Sequence, residues 1–150
     1  MMENDLLMRA REARDAAYAP YSSYKVGAAI LAESGIIYTG CNIENASYGA
    51  TLCAERVAAA KAVAAGERRF KALAVVADSP EPPAPCGLCR QFLAEFSRDM
   101  LVVMANLSGE RRSATLDALL PGAFTRHDLA YASPKIGGSG TAGPSEATAR

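Results

Sequence analysis

The spacing of apolar residues along the chain predicts an N-terminal helix followed by a β-hairpin. Apolar side chains recur at helical spacing over residues 4–18, and Pro20 follows, where a helix cannot readily continue. Val26–Ala32 is almost entirely apolar and has a length typical of a strand. A tight turn at 34–35 and a second short apolar run at Ile36–Thr39 complete the predicted hairpin.

Beyond the hairpin, helical segments alternate with short buried strands. A polar loop over Gly40–Gly49 comes first, and residues 78–85, DSPEPPAP, contain four prolines that neither a helix nor a central strand accepts. The predicted elements are a helix at Leu52–Ala65, a strand at Leu73–Ala77, a helix at Cys86–Phe96, a strand at Leu101–Ala105, an edge strand at Arg111–Ala114, and a short helix that Thr115 caps and that ends before Pro121. This order predicts an α/β fold in which helices sandwich a mixed β-sheet.

The length of the chain favours one domain followed by a tail. With 150 residues, the chain suits a single hydrophobic core. From residue 132 the sequence is rich in Gly, Ser, Ala and Thr and offers almost nothing to bury. We therefore expect one globular domain over residues 1–131 and a disordered C-terminal tail over 132–150.

Charge and hydropathy exclude several classes of function. Sixteen basic residues balance sixteen acidic ones, so the basic surplus of a nucleic-acid-binding protein is absent and a neutral metabolite fits better. No apolar run reaches the roughly 18 residues that cross a membrane, and the charged first residues lack the apolar core of a signal peptide. We expect a cytoplasmic protein that binds neither nucleic acid nor membranes.

Candidate chemistry begins with Cys86-Gly-Leu-Cys89, which lies at the start of a predicted helix. Two thiolates at this spacing can bind one tetrahedral metal, and the helix N-terminus favours the thiolate form. Two buried thiols or a thioredoxin-like redox pair would account for the same motif. The single histidine, His127, excludes a site with two histidine ligands.

A second motif, Cys53-Ala-Glu55, lies at the start of another predicted helix. If both helix starts meet, three cysteines become ligands and the fourth position stays open for water, as in catalytic zinc sites. Glu55 would reach that water from the first turn, although glutamates are common there simply because they suit the helix dipole. A fourth thiol, Cys41, would close the site and make it structural, but a half-buried thiol at a strand end is its favoured role.

Three thiolates around one Zn²⁺ leave a net charge of −1, which weakens zinc as an activator of water. The two helix N-termini can draw charge from the sulfur atoms. Arg56 is a candidate partner for a thiolate, with a solvated helix position as an equal alternative, and Arg90 is a weaker candidate.

The ordered motifs resemble a known family. Five segments, AYAPYSSYKVGAA (17–29), GCNIENASYG (40–49), TLCAERVA (51–58), PCGLCRQ (85–91) and LLPGAF (119–124), closely resemble the small homotetrameric cytidine deaminases, over residues 5 to 130. The pair C-A-E and P-C-x-x-C is the all-cysteine form of the zinc deaminase signature. Leu88 replaces a residue that is usually small, and Tyr24 replaces a phenylalanine.

The resemblance implies a three-layer α/β/α fold of the cytidine deaminase type and conversion of cytidine and deoxycytidine to uridine and deoxyuridine. It implies one zinc ion per subunit on Cys53, Cys86 and Cys89, with Glu55 as proton shuttle and active sites built from several subunits of a homotetramer. The substrate-binding residues that it implies are Asn42, Glu44, Tyr24, Ala54, Tyr21, Tyr48 and Phe124. Arg56 keeps its role as charge-compensating candidate.

Alternatives remain at this point. Without the resemblance, Asn42 and Glu44 are best interpreted as a polar loop that satisfies its own hydrogen bonds. A deaminase of another cytosine nucleoside, of the blasticidin S type, is the close rival. A non-enzymatic zinc module and a thiol oxidoreductase are more distant ones, and a nucleic-acid editor conflicts with the neutral charge.

Overall fold

The computed structural model describes residues 1–130, and the tail expected at 132–150 lies outside the described residues. The elements are α1 (Met2–Arg14), β1 (Val26–Ala32), β2 (Ile37–Cys41), α2 (Ala54–Ala64), β3 (Phe70–Ala77), α3 (Gly87–Ala94), β4 (Leu101–Asn106), β5 (Arg111–Thr115), α4 (Leu116–Leu119) and α5 (Arg126–Leu129). A short 3₁₀ turn at Tyr48–Ala50 interrupts the loop after β2. No helix within residues 1–130 combines the length and apolarity that a membrane span needs.

The strands form one mixed five-stranded sheet in the order β2-β1-β3-β4-β5. β1 pairs antiparallel with β2 and with β3, while β4 pairs parallel with β3 and antiparallel with β5. The parallel pair requires a crossover, and α3 lies on the connection between its two strands. The predicted mixed sheet is therefore confirmed.

Alternation of side chains along the central strands divides the core into two layers. On one face, Ala29 and Leu31 pack with Leu6 and Ala10 of α1. On the other face, the intervening strand residues pack against the alanines of α2, Leu93 of α3 and further buried side chains. Both faces of the sheet are thus covered by helices, and the predicted three-layer α/β/α arrangement is confirmed.

Two strand glycines let the helices approach the sheet closely. A Cβ atom at Gly27 would lie 1.9 Å from the carbonyl oxygen of Ala10 in α1. A Cβ atom at Gly40 would lie 2.5 Å from both the carbonyl oxygen of Ala54 and the amide nitrogen of Ala58 in α2. Neither contact is possible for a larger residue, so these glycines fix the distance between each helix and the sheet.

Some predicted boundaries were wrong. The first helix ends at Arg14 rather than 18, because the chain turns there and Tyr18 forms a bridge with Ile43. The second strand begins one residue later and runs to Cys41, and β3 begins three residues earlier, at Phe70. The short helix α5 and the 3₁₀ turn were not predicted.

Candidate active site

Three thiols meet where α2 and α3 begin. Cys53 is the N-cap residue of α2 and Cys86 that of α3, and Cys89 lies in the first turn of α3. The carbonyl of each N-cap cysteine accepts the first hydrogen bond of its helix. The three sulfur atoms lie within 4.8 Å of one another, so the structure brings together the cysteines that the two motifs singled out.

This thiol cluster has dimensions that suit zinc. Tetrahedral zinc with Zn–S bonds of about 2.3 Å places two sulfur ligands about 3.8 Å apart, and the Cys53 and Cys86 sulfurs are 3.8 Å apart. Both helix N-termini direct partial positive charge at the sulfurs, which favours the thiolates that a metal needs. Cys41, at the end of β2, is not among the clustered thiols, which is consistent with a strand-end role.

Arg56 lies against the thiol cluster. Its Nη2 is 3.6 Å from the Cys53 sulfur and 3.4 Å from the Thr51 carbonyl oxygen, and its buried Nε has no hydrogen-bond partner within residues 1–130. A hydrogen bond with the Cys89 thiol, helped by Arg56, lowers the pKa of the Cys53 thiol to about 5, and the same hydrogen bond raises the pKa of Cys89. One thiol of the cluster, Cys53, therefore ionises readily. Ionisation of a second and third thiol is favoured when a cation binds between the sulfurs.

Glu55 is buried beside these sulfurs. Its exposed fraction is 4%, unusual for a glutamate in a first helical turn that serves only the helix dipole. Burial raises the pKa of its carboxyl group to about 7. A carboxyl group with a pKa near neutrality can both accept and donate a proton at the working pH.

A cavity of about 210 Å³ opens onto Glu55 and the thiol cluster. The predicted residues that line this cavity are Tyr24, Asn42, Cys53, Ala54, Glu55 and Cys86. Six further lining residues were not predicted, namely Val26, Thr51, Leu52, Val75, Pro83 and Ala84. Four of these directly precede the cysteine motifs, so their position beside the motifs was the available signal.

The side chains of Asn42 and Glu44 already make hydrogen bonds within the chain. Asn42 accepts from the Val26 amide at 2.8 Å and donates to the Tyr24 carbonyl at 2.8 Å. Glu44 accepts from the amides of residues 21 and 22 at 2.8 and 3.1 Å and from the Ser22 hydroxyl at 2.5 Å. The Ser22 hydroxyl and these amides also lower the pKa of Glu44. Both side chains therefore fix the segment that carries Tyr24, and only Asn42 lines the cavity.

Three aromatic residues predicted at the site lie outside the cavity. Tyr21 and Tyr48 make an edge contact with their ring centroids 6.0 Å apart, and both are exposed. Phe124 is 58% exposed, and its carbonyl accepts a hydrogen bond from Gln91. The single chain thus does not bring these rings to Glu55.

Arg90 takes a different role from the one considered for it. Its guanidinium donates to the carbonyl oxygens of Pro85 at 2.7 Å and Leu119 at 2.6 Å. These bonds join the segment before α3 to the end of α4, so Arg90 fixes the backbone around the motif. Arg56 is the arginine that contacts a sulfur.

Comparison with protein families identifies residues 2–105 with the cytidine and deoxycytidylate deaminase zinc-binding region. A cytidine deaminase of Sporosarcina psychrophila is 56% identical over 128 residues, which cover 85% of this chain and 94% of that protein. A cytidine deaminase of Halalkalibacterium halodurans is 50% identical over 125 residues, which cover 83% of this chain and 95% of that protein.

Solved structures of cytidine deaminases also match this chain. The crystal structure of cytidine deaminase from Burkholderia pseudomallei matches with a TM-score of 0.80 and 47% identity, covering 83% of this chain and all of that chain (100%). The crystal structure of cytidine deaminase from Mycobacterium tuberculosis matches with a TM-score of 0.70 and 41% identity, covering 81% of this chain and 95% of that chain.

Proposed function

Because the chain belongs to the cytidine and deoxycytidylate deaminase family, we propose that it hydrolyses cytidine and deoxycytidine to uridine and deoxyuridine with release of ammonia. The observation that carries this proposal is the buried Glu55, with a pKa near 7, in a cavity that it shares with the thiol cluster. A purely structural zinc site has no need for an ionisable carboxyl group at the bottom of a cavity.

Cys53, Cys86 and Cys89 would hold one zinc ion, and the spacing of their sulfurs supports this assignment. Bound zinc supplies Lewis acidity that makes water nucleophilic near neutral pH. Arg56 would offset part of the charge of the three thiolates, since its guanidinium contacts the Cys53 sulfur. A charged neighbour of this kind also orients the ligand that it contacts.

Glu55 would move the protons of the reaction. It accepts a proton from the attacking water and delivers it to N3 of the cytosine ring, which makes C4 electrophilic. After water has added at C4, Glu55 transfers the second proton to the amino group, which leaves as ammonia. Its raised pKa supports both directions of transfer.

The sugar would bind at the remaining hydrogen-bonding capacity of Asn42 and Glu44. Each polar atom of the Asn42 amide keeps one free position, because only one hydrogen bond per atom is used within the chain. Glu44 accepts three hydrogen bonds and keeps about one further acceptor position. Tyr24 and Ala54, which line the same cavity, would contact the base.

A homotetramer with shared active sites is part of the proposal. The cavity of about 210 Å³ is smaller than the roughly 300–1,000 Å³ of typical ligand sites, so walls from other subunits would complete it. Exposed aromatic side chains are suited to such an interface. Tyr48 is 77% exposed and Phe124 is 58% exposed, and Tyr21 is exposed beside Tyr48. Light scattering tests this directly, and a stable, fully active monomer would contradict it.

The decisive experiment measures cytidine turnover by ultraviolet absorbance and zinc content on the same sample. We expect turnover that falls in proportion to zinc as a chelator removes it. Zinc without turnover would indicate a non-enzymatic module, and turnover only of a modified cytosine nucleoside would indicate a blasticidin S type deaminase.

The protein is proposed to be cytoplasmic. Cysteines that must stay reduced to bind a metal favour a reducing compartment, which supports this location.

A further inference from the structure

One wall of the cavity is formed by the proline-rich segment 78–85, here called the proline wall. Within it, Pro83 and Ala84 line the cavity, and the segment ends just before Cys86. Half of its eight residues are prolines, which have no amide N–H to donate. A sheet ladder cannot therefore hold this segment, and its position depends on what its carbonyl groups accept.

Three proline carbonyls of the proline wall each accept a hydrogen bond from the side chain of a different element. Asn106, at the end of β4, donates from Nδ2 to the Pro80 oxygen at 3.1 Å. Arg112, in β5, donates from Nη2 to the Pro82 oxygen at 3.1 Å. The Pro85 oxygen accepts from Arg90, as described above. The two residues that line the cavity thus lie between two of the anchored carbonyls.

Asn106 is suited to this anchoring because both polar atoms of its side chain make hydrogen bonds within the chain. The residue is 4% exposed, and its Oδ1 accepts from the Ser108 hydroxyl at 2.8 Å and from the Glu110 amide at 2.9 Å. A buried amide with both ends engaged has one orientation, since the reversed orientation would leave buried groups unpaired. The turn between β4 and β5 therefore sets the position of the Pro80 carbonyl.

We propose that Asn106 and Arg112 are positioning residues of the active site, which hold the proline wall against the bound nucleoside. This inference rests on the proposed function, because the wall acts on that substrate. Residues that fix a binding surface without touching substrate affect affinity when they are lost, even from a distance. The metal ligands Cys86 and Cys89 keep their own anchor in Arg90 and the buried Pro85.

Two variants remove the anchoring hydrogen bonds with little change of shape. Asn106→Asp keeps the acceptor for Ser108 and Glu110 but loses the donor to Pro80. Arg112→Gln removes the guanidinium from an exposed strand position. Arg112→Lys keeps a charged donor and is the conservative rescue. Arg111→Gln is the matched control, because the neighbouring Arg111 donates to Asn4 of α1 at 2.9 Å and not to the wall.

We expect Asn106→Asp and Arg112→Gln to raise KM for cytidine about 3- to 10-fold, the ratio that loss of one net hydrogen bond produces. Their kcat should stay within about twofold and zinc at one per chain, because Glu55 and the sulfurs do not depend on these bonds. Arg112→Lys should return KM towards that of the unmodified protein, and Arg111→Gln should leave it unchanged. Unchanged KM in both wall variants, or an equal rise in Arg111→Gln, would overturn the inference. So would loss of zinc together with kcat.

A second measurement does not depend on catalysis. The methyl group of Ala84 reports motion of the wall through its NMR relaxation order parameter. We expect that parameter to fall in Arg112→Gln and to stay unchanged in Arg111→Gln; equal values in all three proteins would refute the anchoring role. If the unmodified protein fails to deaminate cytidine, the proposed function fails, and this measurement still decides whether the wall is anchored.

Discussion

Substitution of Gly40 by alanine should disrupt both the fold and the active site. The added Cβ would lie 2.5 Å from the Ala54 carbonyl oxygen and the Ala58 amide nitrogen, and 3.0 Å from the Val57 Cβ. To restore an ordinary contact of 3.4 Å, the first turn of α2 must retreat by about 0.9 Å. Two of these neighbours are backbone atoms, so no flexible side chain can absorb the shift.

Overpacking of this kind destabilises by about 1–3 kcal/mol. The displaced turn also carries Cys53 and Glu55, and a misplacement of about 1 Å in a catalytic group costs on the order of 10²-fold in rate. We therefore expect Gly40→Ala to lower both the free energy of unfolding and kcat/KM.

Denaturant unfolding and cytidine kinetics, both at fixed zinc concentration, measure the two effects. Gly49→Ala is the matched control, because a Cβ there meets nothing within 4 Å and the backbone is not in the left-handed region. The control should keep the stability of the unmodified protein. If Gly40→Ala is as stable and as active as Gly49→Ala, the close packing of α2 on β2 does not set the site geometry.

Four further substitutions test individual side chains. Glu55→Gln should lower kcat by about 10³- to 10⁴-fold while zinc stays bound and stability does not fall, and near-normal turnover would contradict its proton-transfer role. Cys53→Ala should lose zinc as well as activity, as measured by metal analysis; stoichiometric zinc in this variant would refute the ligand assignment. Arg56→Gln should lower the affinity for zinc about 10-fold, as measured in competition with a chelator. Unchanged affinity would contradict the charge-compensating role of Arg56. Ser22→Ala should raise KM about fivefold with kcat unchanged, because Glu44 loses its hydroxyl partner, and Ser22→Thr should restore it.

The sequence alone was sufficient to place the cysteine motifs at the starts of two helices. The positions of Cys53 and Cys86 as N-cap residues follow from local features, namely an apolar helical run after a loop and a proline before the C-x-x-C. That both helix starts converge depends on the order of strands in the sheet, which one sequence does not specify. The resemblance to a known family supplied that information.

The sequence could not reveal how the loop residues share their hydrogen bonds. Asn42 and Glu44 were expected to face a ribose, and the alternative was a self-satisfied polar loop. In the structure each side chain binds the 18–26 segment, as the second interpretation predicts, and Asn42 also lines the cavity, while the contact with a ribose stays a prediction. Such dual use depends on long-range contacts between residues about 20 positions apart.

Prediction also failed where tertiary contacts override local preference. The alanine-rich end of the first predicted helix forms a turn instead, because Tyr18 pairs with Ile43 and its amide donates to the Asn42 carbonyl. The proline wall was correctly excluded from helices and strands, but its anchors on β4 and β5 are distant in sequence.

From the short distance between the Cys53 and Cys86 sulfurs we also expect the metal-free protein to be sensitive to oxidants. Sulfur atoms 3.8 Å apart, one of them with a pKa of about 5, are well placed to form a covalent S–S bond when an oxidant removes two electrons. Zinc on these cysteines would bind through the same electron pairs and would therefore protect them. Purified protein should be kept reduced whenever chelators are present, because an oxidised pair can no longer take up the metal.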